Sequence, residues 1–124
     1  MAKWALVVET KCADPAREAE FTEWYDKIHI PDVLESPGFV KGTRYEFLMP
    51  WKIQGGGETK YHSTGATEGK AKFLAVYEIE ADDPSEVMKT LDRHIDKKGA
   101  QGRLSELVEL VSMAIYRRAS SLPK

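Results

Sequence analysis

Alternation between apolar and polar residues predicts four strands in this chain. Residues 3 to 10 are apolar at both alternating positions, which is typical of a strand covered on both sides. Residues 39 to 48, 71 to 80 and 108 to 117 predict three further strands. With one helix after the first strand and one after the third, the order is βαββαβ. We therefore predict an α+β fold, the ferredoxin-like sandwich, in which an antiparallel four-stranded sheet carries two helices on one face.

Both helices are predicted from start signals followed by apolar stripes. The first begins at Asp14-Pro15, an N-cap followed by proline at the first helical position. The second begins at Asp83-Pro84-Ser85-Glu86, which resembles a capping box, and its stripe includes Leu91. Pro31 predicts that the first helix ends just before it, because proline disfavours a helical conformation of the preceding residue. The stripe of the first helix consists of Phe21, Trp24, Tyr25 and Ile28.

The second face of the predicted sheet is too apolar to be left in water. Strands 39 to 48 and 71 to 80 carry apolar residues at both alternating positions. A second copy of the chain is the simplest cover for that face, so we predict a homodimer that forms through the sheet.

One glycine-rich segment, residues 49 to 70, interrupts the single domain predicted over residues 1 to 124. It contains five glycines and exceeds the roughly 12 to 15 residues usual for an unstructured connection. It is interpreted either as a β-hairpin extension or loose excursion, or as a lid over a site.

Composition argues against several classes of partner. The net charge of -2 gives no electrostatic reason to bind nucleic acid, and no apolar run approaches the roughly 20 residues that cross a bilayer. The first residues lack a signal-peptide cleavage pattern. The single cysteine, Cys12, cannot form an internal disulfide. A cytoplasmic protein that binds neither nucleic acid nor membrane is expected.

His29 is the leading candidate for chemistry. At helical spacing it lies beside Tyr25 at the margin of the apolar stripe, with Asp26 on the side away from the core. An imidazole at such a boundary could act as general acid or base, with a carboxylate orienting it. Catalytic candidates are therefore His29, Asp26 and Tyr25. Alternatively, His29 is a helix-end histidine that complements the last carbonyls and the helix dipole.

A pocket around His29 would draw on the aromatic residues of the first helix and the central strands. Tyr45 and Tyr77 fall on same-parity faces of paired strands, which is compatible with both lining one cavity. His94 either lines that cavity or is a packing histidine of the second helix. The predicted substrate-binding residues are Trp24, Tyr45, Tyr77, Phe21 and His94.

No metal or cofactor is expected. His29, His62, His94 and Cys12 show no recognised zinc spacing. No Walker loop, GxGxxG fingerprint or GxSxG elbow is present.

The run WYDKIHIPDVLESPGF, Trp24 to Phe39, resembles the signature W-Y-x-x-x-H-x-P-[DE]-x-x-x-x-P-G-F of EthD-like proteins in the dimeric α+β barrel superfamily. The resemblance implies that two ferredoxin-like subunits press their sheets together and that each holds a small pocket between sheet and helices. It implies a pocket role for His29, Trp24 and Tyr25. Members of the superfamily include cofactor-free oxygenases, polyketide cyclases, lyases, isomerases and haem-handling enzymes, so the resemblance indicates a site rather than a substrate.

Three functional hypotheses follow. The first is a cofactor-independent enzyme that applies general acid/base chemistry to a small hydrophobic or aromatic carbonyl or phenolic compound, as a lyase, cyclase, isomerase or oxygenase. The second is a non-catalytic protein that binds such a ligand for protection, sensing or delivery. The third is a structural dimer with a vestigial site.

Overall fold

A computed structural model of the protein describes residues 2–54, 60–63 and 71–124, with side chains described outside 52–70. Four strands form one antiparallel sheet in the order β2-β5-β1-β6, and β3 pairs with β4 in a separate antiparallel ribbon. The strands are β1 (Lys3–Cys12), β2 (Phe39–Glu46), β3 (Trp51–Gln54), β4 (Lys60–Ser63), β5 (Phe73–Glu80) and β6 (Val108–Arg117). The predicted ferredoxin-like α+β fold is confirmed.

The β3–β4 ribbon falls within the glycine-rich segment and agrees with its interpretation as a hairpin. Residues 55–59 and 64–70 lie outside the described residues. The lid interpretation therefore stays a prediction.

The first helical region begins where the sequence predicts. The Asp14 side chain accepts a hydrogen bond from the Ala16 amide at 3.1 Å and opens a 3-10 turn over Pro15–Arg17. The helix α1 (Glu18–Trp24) follows. At the second predicted start, Asp83 caps the helix α3 (Pro84–Ala100) by accepting from the Ser85 amide at 2.9 Å.

The prediction that the first helix ends before Pro31 is wrong. A π-helical turn over Tyr25–His29 leads directly into the helix α2 (Ile30–Leu34). In this turn the Ile30 amide donates to the Tyr25 carbonyl, five residues back. In a regular α-helix, Pro31 would lack an amide for the carbonyl four residues earlier and its ring would clash with that carbonyl. The wider turn removes the conflict, so the chain remains helical until a turn in which Gly38 has φ 95°.

The helices cover one face of the sheet, and this layer holds the core. β5 alternates between buried and half-buried residues, and its helix-facing set includes Ala75 and Tyr77. Tyr77 pairs with Leu6 of β1 in register, and Ala75 pairs with Val8. From the helices, the buried residues Phe21, Tyr25, Val33, Val87 and Leu91 pack onto this face. Burial of these apolar side chains is the dominant contribution to the stability of the sandwich.

Candidate functional site

A cavity of about 420 Å³ lies between the helices and the helix-facing side of the sheet. Its apolar lining comes from every layer and consists of Leu6, Val8, Val33, Met88, Leu91, Ile95 and Met113. Its polar lining consists of Tyr25, His29, Tyr77, Asp92 and Asp96. A mainly apolar cavity of this size with few polar groups is typical of a small-molecule site.

A second concavity, of about 390 Å³, lies on the opposite face of the sheet. Charged residues such as Lys41, Glu78 and Arg118 line it, and Arg118 is paired with Glu78 at 3.1 Å. Among the described residues that line it, there is neither a histidine nor a buried tyrosine. The cavity on the helix side is therefore the better candidate for a functional site.

His29 is held in that cavity by two aromatic neighbours. The Trp24 ring stacks on the imidazole, with centroids 4.8 Å apart and planes 17° apart. The Tyr25 ring meets it edge-on, with centroids 5.0 Å apart. Trp24 is itself fixed, because its indole N–H donates to the Arg103 carbonyl at 2.9 Å. Trp24 thus supports His29 from behind and does not line the cavity.

His29 and Tyr25 both line the cavity because residues four apart share one face of a helix. They are the last and first residues of the π-helical turn. His29 lies within a continuous helical run and not at its end. The alternative of a helix-end histidine that complements the last carbonyls therefore has no geometric basis.

Burial controls the protonation of His29. Removal of the imidazole from water lowers the pKa of His29 to about 4, and the negative charge of Asp32 offsets this effect only partly. At neutral pH the ring is uncharged, so one ring nitrogen can donate a hydrogen bond and the other can accept a hydrogen bond or a proton.

Two buried tyrosines face the same cavity. Tyr77 and Tyr25 are each only 2% exposed. Burial raises the pKa of both hydroxyl groups, so both are protonated and able to donate. The Tyr25 hydroxyl lies close to that of Tyr77 and raises the pKa of Tyr77 further. Among the described residues, the Tyr77 hydroxyl has no hydrogen-bond partner.

That hydroxyl is the most informative atom of the site. A buried polar group without a partner costs about 1–3 kcal/mol, so most are satisfied in native proteins. Tyr77 is among the residues that line a cavity large enough to admit a ligand. A ligand oxygen or nitrogen atom that reached the Tyr77 hydroxyl would satisfy it.

Asp26 does not orient His29, and that prediction is wrong. Its Oδ1 atom accepts from Arg44 Nη1 at 2.9 Å. The Arg44 guanidinium in turn lies over the rings of Tyr25 and Phe73, 4.9 and 5.2 Å from their centroids. Asp26 is not among the residues that line the cavity, and its contact with Arg44 directs it towards β2.

The carboxylate that acts on His29 is Asp32, which sequence reasoning did not single out. It is 3% exposed and accepts two hydrogen bonds from Arg103, at 2.8 and 3.0 Å. Lys98 lies 3.8 Å from it. The bonds from Arg103 hold the pKa of Asp32 below its usual range, so it is ionised. Asp32 thus ties α2 to α3 and to the segment that follows α3, close to His29.

His94 lies on the same side as this ion-pair cluster and not among the residues that line the cavity. Its Nε2 atom is 2.7 Å from the Asp32 carbonyl oxygen and 3.5 Å from Glu35. This position agrees with the alternative of a packing histidine, and the predicted contact of His94 with substrate stays a prediction.

The expectation that Tyr45 and Tyr77 share a cavity is also wrong. The register of β2 shifts at a bulge between Phe39 and Lys41. Tyr45 therefore pairs with Leu74 on the opposite face of the sheet, where it is 55% exposed, whereas Gly42 pairs with Tyr77.

Phe21, the remaining predicted contact, is fully buried beneath the cavity. Its ring lies 5.5 Å from that of Tyr25 and 5.0 Å from that of Phe73. It supports Tyr25 and does not line the cavity. Of the predicted site residues, His29, Tyr25 and Tyr77 come together in the cavity.

In residues 2–54, 60–63 and 71–124, no group of three or more histidine, cysteine, aspartate or glutamate residues is arranged to hold a metal ion. The side chain of His62 lies outside the described ones. The expectation that the protein uses neither metal nor cofactor stays a prediction.

Comparison with known proteins bears on the fold. No family model and no curated protein matches the sequence. Among solved structures, HapK from Hahella chejuensis has a TM-score of 0.60 at 11% identity, over 98% of this chain and 97% of that one. A putative monooxygenase from Shewanella loihica PV-4 has a TM-score of 0.54 at 14% identity, over 97% of each chain.

A third similar structure is that of an ethyl tert-butyl ether d (ethd) family protein from Bacillus halodurans C-125. Its TM-score is 0.50 at 15% identity, over 93% of this chain and 96% of that one. Identities this low show a shared fold only. At the level of the fold, the resemblance of the sequence to EthD-like proteins is confirmed.

Proposed function

We propose that the cavity binds a small hydrophobic or aromatic compound with a phenolic or carbonyl oxygen, and that His29 moves a proton in its conversion without a cofactor. The observation that carries the proposal is that Tyr77, whose hydroxyl has no partner among the described residues, and the neutral imidazole of His29 line the same apolar cavity. Apolar walls favour the carbon skeleton of such a ligand, while Tyr77 and His29 fix its oxygen.

The burial that lowers the pKa of His29 also defines how it would act. Neutral His29 accepts a proton from a hydroxyl or an activated carbon of the substrate. The imidazolium is disfavoured in the cavity, but the negative charge formed on the substrate and the charge of Asp32 both stabilise it. Tyr77 donates to the substrate oxygen as that oxygen gains charge. His29 then returns the proton, which fits elimination, cyclisation or isomerisation. Oxygenation would also require molecular oxygen, which would react with the substrate anion and supply the added oxygen atom.

The same low pKa favours a second candidate, a non-catalytic ligand-binding protein. A conjugate acid with a pKa of about 4 belongs to a weak base. If no substrate anion compensates for the charge, His29 acts only as a hydrogen-bond acceptor for a ligand hydroxyl. The cavity would then capture its ligand without changing it.

A mass-spectrometric turnover screen of small phenolic and carbonyl compounds separates these candidates. The wild type is compared with His29→Gln, Tyr77→Phe and the matched control His94→Gln, because His94 lies outside the cavity lining. Product from the wild type and the control, with loss of turnover in His29→Gln, supports the enzyme. Ligand binding that depends on Tyr77 without turnover supports the binding protein. Turnover that survives in His29→Gln contradicts the proposed role of His29.

We also propose that a second copy of the chain covers the outer face of the sheet. That face carries the half-buried apolar residues Val7 and Val76, which pair directly across β1 and β5. Tyr45 and Tyr116 add large exposed rings there, 55% and 58% exposed. Sedimentation of the wild type at micromolar concentration should give a dimer, and Val76→Lys should shift it towards monomer. A wild-type monomer would contradict this proposal.

The cytoplasmic location and the single domain with an insertion at 49–70 remain proposals. In the described part of the chain, no helix has the length and apolar character needed to span a membrane.

A further inference from the structure

The mouth of the cavity carries two carboxylates. Asp92 and Asp96 of α3 both belong to its lining and both are exposed. They are four residues apart, so their side chains are neighbours on one face of the helix. The apolar residues Leu91 and Ile95 precede each of them and form the wall further in.

No cation belongs to the same lining. Among the described residues, no lysine or arginine lines the cavity, and neither Asp92 nor Asp96 makes an ion pair. On α3, Lys89 lies 3.3 Å from Glu86 and Lys98 lies 2.8 Å from Glu35, while Arg93 and Lys97 lie outside the cavity lining.

The inner end of the cavity differs chemically from its mouth. Tyr77 is 2% exposed, and its hydroxyl has no partner among the described residues. This group suits an uncharged oxygen. The cavity is thus polar and neutral at one end, apolar along its walls and negative at its mouth.

We infer that the ligand is an aromatic compound with an alkylammonium side chain, with an oxygen directed at Tyr77 and the ammonium group directed at Asp92 and Asp96. This inference rests on the proposed function, since it names the ligand class of the same cavity. It separates such amines from aromatic carboxylates of equal size, whose charge the two aspartates would repel.

The size of the preference follows from Coulomb's law. One carboxylate in contact with solvent changes the affinity for a nearby unit charge about threefold at high dielectric, and salt at 0.15 M weakens that effect. The two aspartates attract an ammonium group and repel a carboxylate group. The dissociation constants of the two ligands should therefore differ on the order of 10-fold.

Three phenols of similar size test the inference: tyramine, tyrosol and para-hydroxyphenylacetate. Their dissociation constants are measured at neutral pH by NMR chemical-shift titration. The expected order of affinity is tyramine, tyrosol, para-hydroxyphenylacetate, with about 10-fold between the first and the last. In Asp92→Asn/Asp96→Asn this range should shrink to less than about twofold. The charge-matched control Asp82→Asn/Glu109→Gln, whose residues do not line the cavity, should keep it.

The outcomes distinguish this inference from the proposed function. Equal affinities in the wild type, or a preference unchanged in Asp92→Asn/Asp96→Asn, overturn the inference. If tyrosol still binds and loses affinity in Tyr77→Phe, the proposed cavity stands although the charge preference does not. If none of the three binds, or if binding is unaffected by Tyr77→Phe, the proposed function is contradicted, and the inference with it.

Discussion

Protonation of His29 should destabilise the folded protein as the pH falls. The pKa is about 4 in the folded state and 6.5 in the exposed reference state. Between these values the unfolded chain binds more protons than the folded one, so stability falls as the pH falls from about 6.5 to 4. Below about 4 both states are protonated and the loss from this residue is complete.

The magnitude follows from the two pKa values. One pKa unit corresponds to about 1.4 kcal/mol, so the full effect is about 3 kcal/mol. Between about pH 7.5 and pH 5, proton linkage gives a loss of about 2 kcal/mol from His29. Above pH 5 most carboxylates remain ionised in both states, which limits their contribution to this window.

Urea unfolding at these two pH values measures the loss. His29→Gln should lose about 2 kcal/mol less stability than the wild type between them, because glutamine does not titrate. His94→Gln is the matched control and should retain the dependence that His29 causes. Equal losses in the wild type and His29→Gln, or an NMR titration of His29 near 6.5, would refute the buried, neutral state on which the proposed mechanism depends.

Three further substitutions test the surroundings of the site. Tyr77→Phe should leave stability unchanged or raise it by up to about 1 kcal/mol, since it removes an unpartnered buried hydroxyl, and a clear loss in thermal unfolding would show that this hydroxyl is already bonded. Asp32→Asn should lower the free energy of unfolding by about 2–3 kcal/mol, because it removes a buried carboxylate that accepts two bonds from Arg103; an unchanged urea midpoint would argue against this anchor. Gly42→Ala should cost about 1–3 kcal/mol in the same assay, because the new Cβ would lie 2.9 Å from Ile30 Cγ2 and 3.2 Å from the Tyr77 ring, and full stability would show that α2 and β2 are less closely packed.

Periodicity and capping residues were sufficient to predict the fold. The alternation in β1 and β5 and the caps at Asp14 and Asp83 depend on local physical chemistry that the sequence contains. His29 beside Tyr25 was predicted for the same reason, because helical spacing brings them together whatever the rest of the fold.

Features that depend on hydrogen-bond register were not predictable in this way. Pro31 suggested a helix end, whereas the chain accommodates Pro31 with a π-helical turn and remains helical. Because the helix was expected to end before Pro31, the three-residue spacing between His29 and Asp32 did not predict that their side chains are close together. A helix continued through Pro31 would have identified Asp32 as the carboxylate beside the imidazole.

The misplacement of Tyr45 has a related cause. Side-chain parity along a strand assigns faces only if the register is regular, and the bulge after Phe39 reverses the assignment for the rest of β2. That reversal also turns Arg44 towards the aromatic rings under the helix, where it pairs with Asp26.

The most direct test of the central claim is to locate a bound phenol. Titration of isotope-labelled wild type with tyrosol, followed by NMR, should shift the signals of Tyr77, His29 and the α3 residues Leu91 and Ile95, and the shifts should disappear in Tyr77→Phe. Shifts confined to the outer face of the sheet around Tyr45, or no shifts at millimolar tyrosol, would contradict a ligand site between the helices and the sheet.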